Sequence, residues 1–179
     1  MDTESPTTAL NGRYHDVLFD ASGRVVEDRG WRPNAIVGDF RRLLAALIRG
    51  KPAATGLLGL KVGAGLAAWD DTGPPPGTSG QTALVDPNPF TVTGAAVTTD
   101  FLTGGTVSAT PTNRLQVQVT LGPGSPPWPD GANHVSGNLR EFGLAATLDG
   151  QTVLLNYVTH PVIAKDPAST LLRTVWLTF

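Results

Sequence analysis

The C-terminal third of the chain contains the pattern that most restricts the fold, two apolar segments separated by a turn-forming dipeptide. Leu139–Leu148 and Thr152–Val158 flank Asp149-Gly150. Because Asp-Gly accepts the positive φ angles of a two-residue turn, this pattern predicts a β-hairpin. Upstream, Arg114–Leu121 alternates apolar and polar residues, which predicts a strand with one buried and one wet face. Leu171–Phe179 alternates in the same way and predicts a final strand.

Four segments before residue 100 are also predicted as strands. Tyr14–Phe19 and Arg24–Asp28 flank Asp20–Gly23, whose residues tolerate tight backbone geometry, so these segments predict a second hairpin. Leu57–Val62 is typical of a buried strand, and Phe90–Thr99 is rich in Thr and Val.

One helix is predicted between these strands. Apolar residues recur at spacings of three and four from Ile36 to Ile48, which places them on one helix face. With Asn34 at the N-cap position and Gly50 after the last turn, the helix is predicted over about 34–49. The side chains expected to pack against the sheet are Ile36, Phe40, Leu43, Leu44 and Leu47.

Proline and glycine define the remaining organisation. The 179 residues include 21 Gly and 15 Pro, concentrated at 70–80 and 122–131, which predicts two long exposed loops. His160–Ser169 is predicted as a linker, and 1–12 as a flexible N-terminal arm before a single β-rich domain over 13–179. The predicted fold class is mainly β, antiparallel and β-sandwich-like, with one amphipathic N-terminal helix.

Composition argues against several classes of function. No apolar segment approaches the roughly 18 residues of a membrane helix. The first residues lack the basic-then-apolar pattern of a signal peptide. The chain has no cysteine, which excludes thiol catalysis and Cys-ligated metals. Its net charge is −2, without a dense basic stripe, so neither nucleic acid nor a membrane is an expected partner.

Gly63–Ala68 has the spacing of a dinucleotide-binding loop after a predicted strand. Trp69–Pro74 follows at once and leaves no room for the required helix, so the glycines predict a tight bend between strands. Asp70 and Asp71 have oxygen ligands suited to Ca²⁺, but two neighbouring carboxylates do not complete a site and are expected to be solvated.

The histidines have no spacing typical of a metal site or of a catalytic triad. They are His15, His134 and His160, and the sequence contains no Gly-x-Ser-x-Gly motif. We therefore predict that the protein is not an enzyme, with no catalytic residue, no cofactor and no metal.

Large apolar side chains near the end of the chain are predicted as subunit contacts. The last strand carries Leu172 and Trp176 on one face and large apolar residues, including Phe179, on the other. A strand that is apolar on both faces must be covered on both, and we expect a neighbouring subunit to cover the second face. Trp69 and Trp128, in or beside the loops, are further interface candidates. Because loop tryptophans, Trp31 included, can also stack on sugars, a carbohydrate-binding module stays an alternative.

Several short segments resemble structural proteins of bacteriophage tails and related contractile tail-like particles. In the C-terminal part these segments are Leu139–Leu144, Asp149-Gly150, Leu154–Tyr157, Pro161, Lys165-Asp166 and Val175–Phe179. Upstream they are Leu60–Gly65 and Gly80–Val85, preceded by a hairpin and helix similar to the corresponding element of such proteins. The Pro-rich insertions at 70–80 and 122–131 depart from the pattern.

The resemblance implies an oligomeric tail-fibre, collar or baseplate component whose motif residues are not catalytic. We therefore predict a structural subunit of a phage virion, assembled in the host cytoplasm as a homo-oligomer with other virion or tail-particle subunits. The absence of cysteine is compatible with assembly in a reducing compartment. A carbohydrate- or receptor-binding β-sandwich module and a capsid decoration protein stay as alternatives.

Overall fold

A computed structural model of the chain describes residues 10–179. The strands are β1 (Asn11–Phe19), β2 (Val25–Ile36), β3 (Thr55–Gly63), β4 (Phe90–Val92), β5 (Val97–Thr103), β6 (Thr106–Ser108), β7 (Arg114–Leu121), β8 (Asn138–Leu148), β9 (Gln151–Leu154), β10 (Asn156–Ala164) and β11 (Thr170–Thr178). The helices are α1 (Gly38–Ile48) and α2 (Trp69–Thr72), with a 3₁₀ turn at Gly94–Ala96. All described strand pairs are antiparallel, which confirms the predicted mainly antiparallel β class.

The strands form one hydrogen-bonded network in the order β4-β3-β8-β10-β2-β1-β11-β7-β5-β6, and β9 pairs with β8. Only two residue pairs join β10 to β2, Asn156 with Ile36 and Tyr157 with Ala35. This narrow joint divides the network into two parts. We call the part with β3, β4, β8, β9 and β10 the β8 half, and the part with β1, β2, β5, β6, β7 and β11 the β11 half.

Both halves contribute to one apolar core. Tyr14 of β1 contacts Phe142 of β8 edge to face, with the ring centroids 5.1 Å apart. Val175 and Leu177 of β11 belong to the same buried cluster as Leu144 of β8. Helix α1 adds Phe40 and Leu43, both buried.

The two predicted hairpins are confirmed. Asp149 and Gly150 form a two-residue turn between β8 and β9, with φ angles of 54° and 74°. This geometry favours Gly, because a Cβ at positive φ is strained. At the other hairpin, β1 pairs with β2, and Asp20 binds the backbone N–H groups of Ser22 and Arg24 within the turn.

Helix α1 begins at Gly38, four residues later than predicted. Asn34 does not cap the helix, because it pairs with Gly12 as part of β2, and Val37 occupies the N-cap position. The prediction that Leu47 is buried is also wrong, since its side chain lies at the last turn and is 40% exposed.

The predicted linker after residue 160 is wrong in its first half, because β10 continues to Ala164 and pairs with β8 there. Pro161 lies within the register irregularity between Thr159 and Ile163, where a residue without an N–H donor is tolerated. Arg29 of β2 donates hydrogen bonds of 2.6 Å to the carbonyl oxygens of Pro161 and Val162.

Two other predicted segments, the N-terminal arm and the first Pro-rich loop, have different bounds in the structure. β1 begins at Asn11, so the last two residues of the predicted arm belong to a strand, and 1–9 lie outside the described residues. Helix α2 occupies the start of the predicted 70–80 loop, whereas 122–131 is irregular as expected.

The packing of α1 predicts a difference between two leucines on the same helix. Leu43→Ala should lower the free energy of unfolding by about 2–5 kcal/mol, because it empties a buried position. Leu47→Ala should cost less than about 1 kcal/mol, because the side chain is substantially exposed. Urea denaturation of both variants measures the difference. Equal losses of stability would contradict the observed helix orientation.

Candidate functional site

We call the short segments on which the resemblance to phage-tail proteins rests the tail-like segments. Four of them meet around Glu141, a fully buried residue of β8. Its Oε1 accepts a hydrogen bond from the backbone N–H of Asp86 at 2.6 Å. Its Oε2 accepts one from Val85 N–H at 2.9 Å and one from the Tyr157 hydroxyl at 2.7 Å. A Cβ at Gly63 would lie 2.7 Å from Glu141 Oε1, so the first glycine of the Gly-x-Gly sequence makes room for this carboxylate.

Tyr157 is held as the donor in this arrangement. Burial raises the pKa of its hydroxyl, and the hydrogen bond to Glu141 raises it further. Three donors thus engage the carboxylate of Glu141 inside the protein, and it joins the 85–86 segment to β8 and β10. We call Glu141, Tyr157 and the 85–86 segment the Glu141 brace.

A second polar cluster adjoins the brace through His134. Its Nε2 lies 2.9 Å from Asp86 Oδ2 and its Nδ1 lies 2.9 Å from Asp130 Oδ2. Burial lowers the pKa of His134, but hydrogen bonds to the two carboxylates outweigh it, and the pKa is raised overall. Trp128 stacks on the imidazole with centroids 3.7 Å apart.

This arrangement engages both ring nitrogens of His134. As an imidazolium it donates one proton to each carboxylate, and neither nitrogen then has a lone pair for a metal or a substrate proton. The hydrogen bond from His134 is also the largest cause of the lowered pKa of Asp130. The cluster therefore holds the 122–137 region against the segment that contains Asp86.

Asp70 is exposed, as the sequence predicts, but it also forms an ion pair that the sequence does not predict. Arg140 of β8 donates Nε and Nη2 to its two oxygens at 2.8 and 2.6 Å, and donates Nη1 to Ala64 O at 2.9 Å. These hydrogen bonds lower the pKa of Asp70. The sequence around Asp70 cannot predict this pair, because Arg140 lies 70 positions away along the chain.

A third polar cluster lies in the core between the two halves. Arg173 of β11 donates to both carboxylate oxygens of Asp16 at 2.7 Å, and its Nη2 lies 3.0 Å from His160 Nε2. Burial, followed by the charge of Arg173, lowers the pKa of His160 to about 3, so this imidazole is neutral and accepts the hydrogen bond. Burial opposes ionisation of Asp16, but Arg173 outweighs it and lowers the pKa of Asp16.

Two of the predicted interface residues are buried within the chain. Trp69 is 7% exposed and packs on Gly65, whose Cβ would lie 2.5 Å from its ring. Trp128 is 5% exposed because it stacks on His134. Neither indole presents the open ring that a sugar or a neighbouring subunit would need, which corrects the prediction for both.

The other three predicted interface residues reach the surface. Leu172 and Trp176 are partly exposed on the outer face of β11, and Phe179 is 38% exposed. The neighbour of Trp176 is Arg13, which no local sequence pattern indicates. Its guanidinium lies 4.3 Å from the Trp176 ring centroid and 4.6 Å from that of Trp31. The two tryptophans are visible in the sequence, but only the register between β1 and β11 places Arg13 opposite Trp176 and so brings all three side chains together.

Phe179 lies at an apolar crevice of about 170 Å³ between helix α1 and the sheet. Leu47 on the helix and Phe179 at the end of the chain are the exposed large apolar side chains of its lining. The other lining residues are Phe40, Leu43, Leu44, Gly56, Leu57, Leu115, Val117, Leu155 and Leu177. The crevice therefore offers apolar contacts only.

No family model, curated protein or solved structure matches this chain. In the part of the chain that the structure describes, no helix is long and apolar enough to cross a membrane. Within 10–179, no group of three or more His, Asp or Glu side chains is arranged to hold a metal ion.

The buried ion pair predicts a large effect of a nearly isosteric substitution. Asp16→Asn should destabilise the protein by about 3–5 kcal/mol, because Arg173 keeps its charge in the core without a counter-charge. Asp39→Asn, which removes the exposed pair with Arg42, is the matched control and should cost less than about 1 kcal/mol. Chemical denaturation gives both values, and a small loss for Asp16→Asn would contradict the role given to the pair.

The His134 cluster predicts a pH dependence of stability. The folded pKa of His134 lies above its unfolded value of about 6.5, so the stabilisation is complete below that pH and is lost as the pH rises through the folded pKa. The stability difference between wild type and His134→Gln should therefore shrink between pH 6 and pH 9. Urea titrations across this range measure it.

Asp130→Asn provides the control for this prediction. It removes one carboxylate that favours the charged imidazole, so the same comparison made in this background should depend less on pH. A His134→Gln effect that is constant across the range would rule out a charged, doubly bonded imidazole.

Proposed function

We propose that the protein is a non-enzymatic structural subunit of a phage virion, a tail, collar or baseplate component, or the equivalent part of a phage-derived contractile particle. The observation that carries the proposal is the Glu141 brace, in which residues from separate tail-like segments bind one another inside the fold. The segments that support the resemblance are thus the ones that build the scaffold. Their polar groups are engaged in internal hydrogen bonds rather than directed at a substrate.

Other residues of these segments have the same kind of role. Lys165 donates to the carbonyl oxygens of Gly122 and Ser169 at 3.0 and 2.9 Å, which fastens the start of the 122–131 loop. Asn156 Oδ1 accepts a hydrogen bond from Leu144 N–H at 2.7 Å, where β8 changes partner from β10 to β9. These contacts support a scaffold whose long loops and outer faces are available to neighbours.

We also infer that the β8 half and the β11 half are the two layers of a β-sandwich. The contacts of Phe142 support this, since its ring meets Tyr14 at 5.1 Å and the Arg173 guanidinium at 3.7 Å, both from the other half. The two-pair joint between β10 and β2 is then the corner where the hydrogen-bonded network continues from one layer into the other.

The apolar crevice is the surface that we assign to assembly, and a second copy of this chain is its proposed occupant. The crevice adjoins the start of β3, through Gly56 and Leu57. At the other end of this strand, roughly 25 Å away at about 3.3 Å per residue, Val135 projects beside Ala64 and Gly65. Val135 is 96% exposed.

An apolar side chain at one end and an apolar crevice at the other support head-to-tail contact between copies. Contacts between different surfaces of identical subunits generate rings when the rotation closes and filaments when it does not. Either product suits a repeated component of a tail-like particle.

Two single variants and their mixture test this assembly. Leu47→Asp places a charge at the crevice, and Val135→Asp places one at the opposite end, so each should abolish oligomers in light scattering of the concentrated protein. Mixing the two variants should restore one contact, between the intact crevice of one and the intact Val135 of the other, and give a dimer. Val107→Asp changes another exposed valine and should leave the oligomers unchanged.

A wild-type chain that stays monomeric at high concentration would refute self-assembly through this crevice. Loss of oligomers with Leu47→Asp but not with Val135→Asp would refute the head-to-tail contact. For the virion role, mass spectrometry of particles purified from the source cells should find the chain in fixed proportion to tail subunits. Its absence from intact particles would contradict that role.

A further inference from the structure

The outer face of the β11 half carries a cluster of aromatic and cationic side chains that the assembly proposal does not use. Strand register aligns Arg13 of β1, Trp176 of β11 and Gln116 of β7 in one row across the sheet. Trp31 of β2 pairs with His15, the next outward-facing residue of β1, and its ring reaches this row, with its centroid 4.5 Å from that of Trp176. Trp176 Nε1 donates to Gln116 Oε1 at 2.9 Å, which fixes the orientation of this indole.

Arg13 is oriented but has no carboxylate partner within 10–179. Its guanidinium lies over both indoles, at 4.6 Å from Trp31 and 4.3 Å from Trp176, so cation–π contact holds its plane. Arg114 of β7, two residues from Gln116 along its strand, also forms no ion pair with a carboxylate of the described chain. Two arginines on one face thus keep donors available for an anion.

The two arginines line the same pocket. Its volume is about 240 Å³, and its other lining residues are Asn11, Trp176 and Thr178. This is smaller than the roughly 300–1,000 Å³ of pockets that enclose drug-sized ligands. The pocket therefore suits one ring with its charged group, with the rest of a longer ligand lying along the exposed face.

We propose that this face binds an acidic saccharide, with the carboxylate of one sugar unit placed between Arg13 and Arg114. A guanidinium pairs with a carboxylate through two parallel N–H···O bonds, and Arg is the side chain best suited to that geometry. Trp31, which is 40% exposed, supplies an apolar ring surface beside the charged site.

The position of the cluster favours a sugar over an acidic peptide. β1 and β11 are internal strands, each paired on both sides, so their backbone groups are not available to bind an added peptide strand. Carboxylates flank the cluster, with Asp100 opposite Gln116 on β5 and Asp28 bonded to His15 on β1. These negative groups restrict a ligand carboxylate to the area between the two arginines.

Isothermal titration of the full-length protein in about 0.15 M salt, where long-range charge effects are screened, tests the proposal. The probes are trigalacturonate, a glucuronate disaccharide and sialyllactose, each compared with its carboxylate methyl ester. At least one acid should bind, and its ester should bind at least tenfold more weakly. Arg13→Gln and Arg114→Gln should each weaken binding of the acid at least tenfold.

Arg41→Gln is the matched control, since it removes an exposed arginine from helix α1 and should leave binding unchanged. Circular dichroism and unfolding curves establish that the pocket variants keep the fold. Equal binding of acid and ester, binding of a hexaglutamate peptide without any of the sugars, or no binding of any probe would overturn the proposal. None of these outcomes depends on the crevice, so failure here leaves the assembly proposal standing.

Discussion

The arrangement of the two halves depends on the contacts of one buried arginine, Arg173. Arg173 belongs to β11, yet it lies against Asp16 of β1, His160 of β10 and the ring of Phe142 of β8. A guanidinium without water is tolerated only beside a counter-charge, so β1 and β11 must pair in the register that places Asp16 opposite Arg173. The contacts of Arg173 with His160 and Phe142 then join the β11 half to the β8 half. The neutral state of His160 completes this arrangement, because an imidazolium beside Arg173 would add a second positive charge to the core.

Local patterns predicted most of the strands, whereas the polar clusters were not predictable. Asp149-Gly150 specified its turn because the required φ angles depend on those two residues alone. Arg140 and Asp70, in contrast, are 70 positions apart, and only the completed fold brings them together. The start of α1 was missed for the same reason, since pairing with β1 and β10 outweighs the helical periodicity before Gly38.

The same distinction between local pattern and long-range packing separates the predicted interface residues that reach the surface from those that are buried. Alternation along β11 was sufficient to place Leu172 and Trp176 on one face, because strand periodicity determines facing. Phe179 follows the alternation of the buried Val175 and Leu177, and it is exposed because it lies beyond the end of the strand. Burial of Trp69 and Trp128 depends on a glycine and a histidine supplied by other segments. In the resulting molecule the conspicuous polar side chains brace the interior, and apolar and aromatic groups are left at the surface. This distribution is the physical basis for proposing assembly rather than catalysis.

Hydrogen–deuterium exchange at low and high protein concentration tests the proposed assembly most directly. The backbone of β8 lies between two partner strands and should exchange slowly at both concentrations. The segments beside the crevice, 43–57 and 177–179, and the loop around Val135 should exchange more slowly only when the protein is concentrated. Exchange that is independent of concentration in all of these segments would contradict the account.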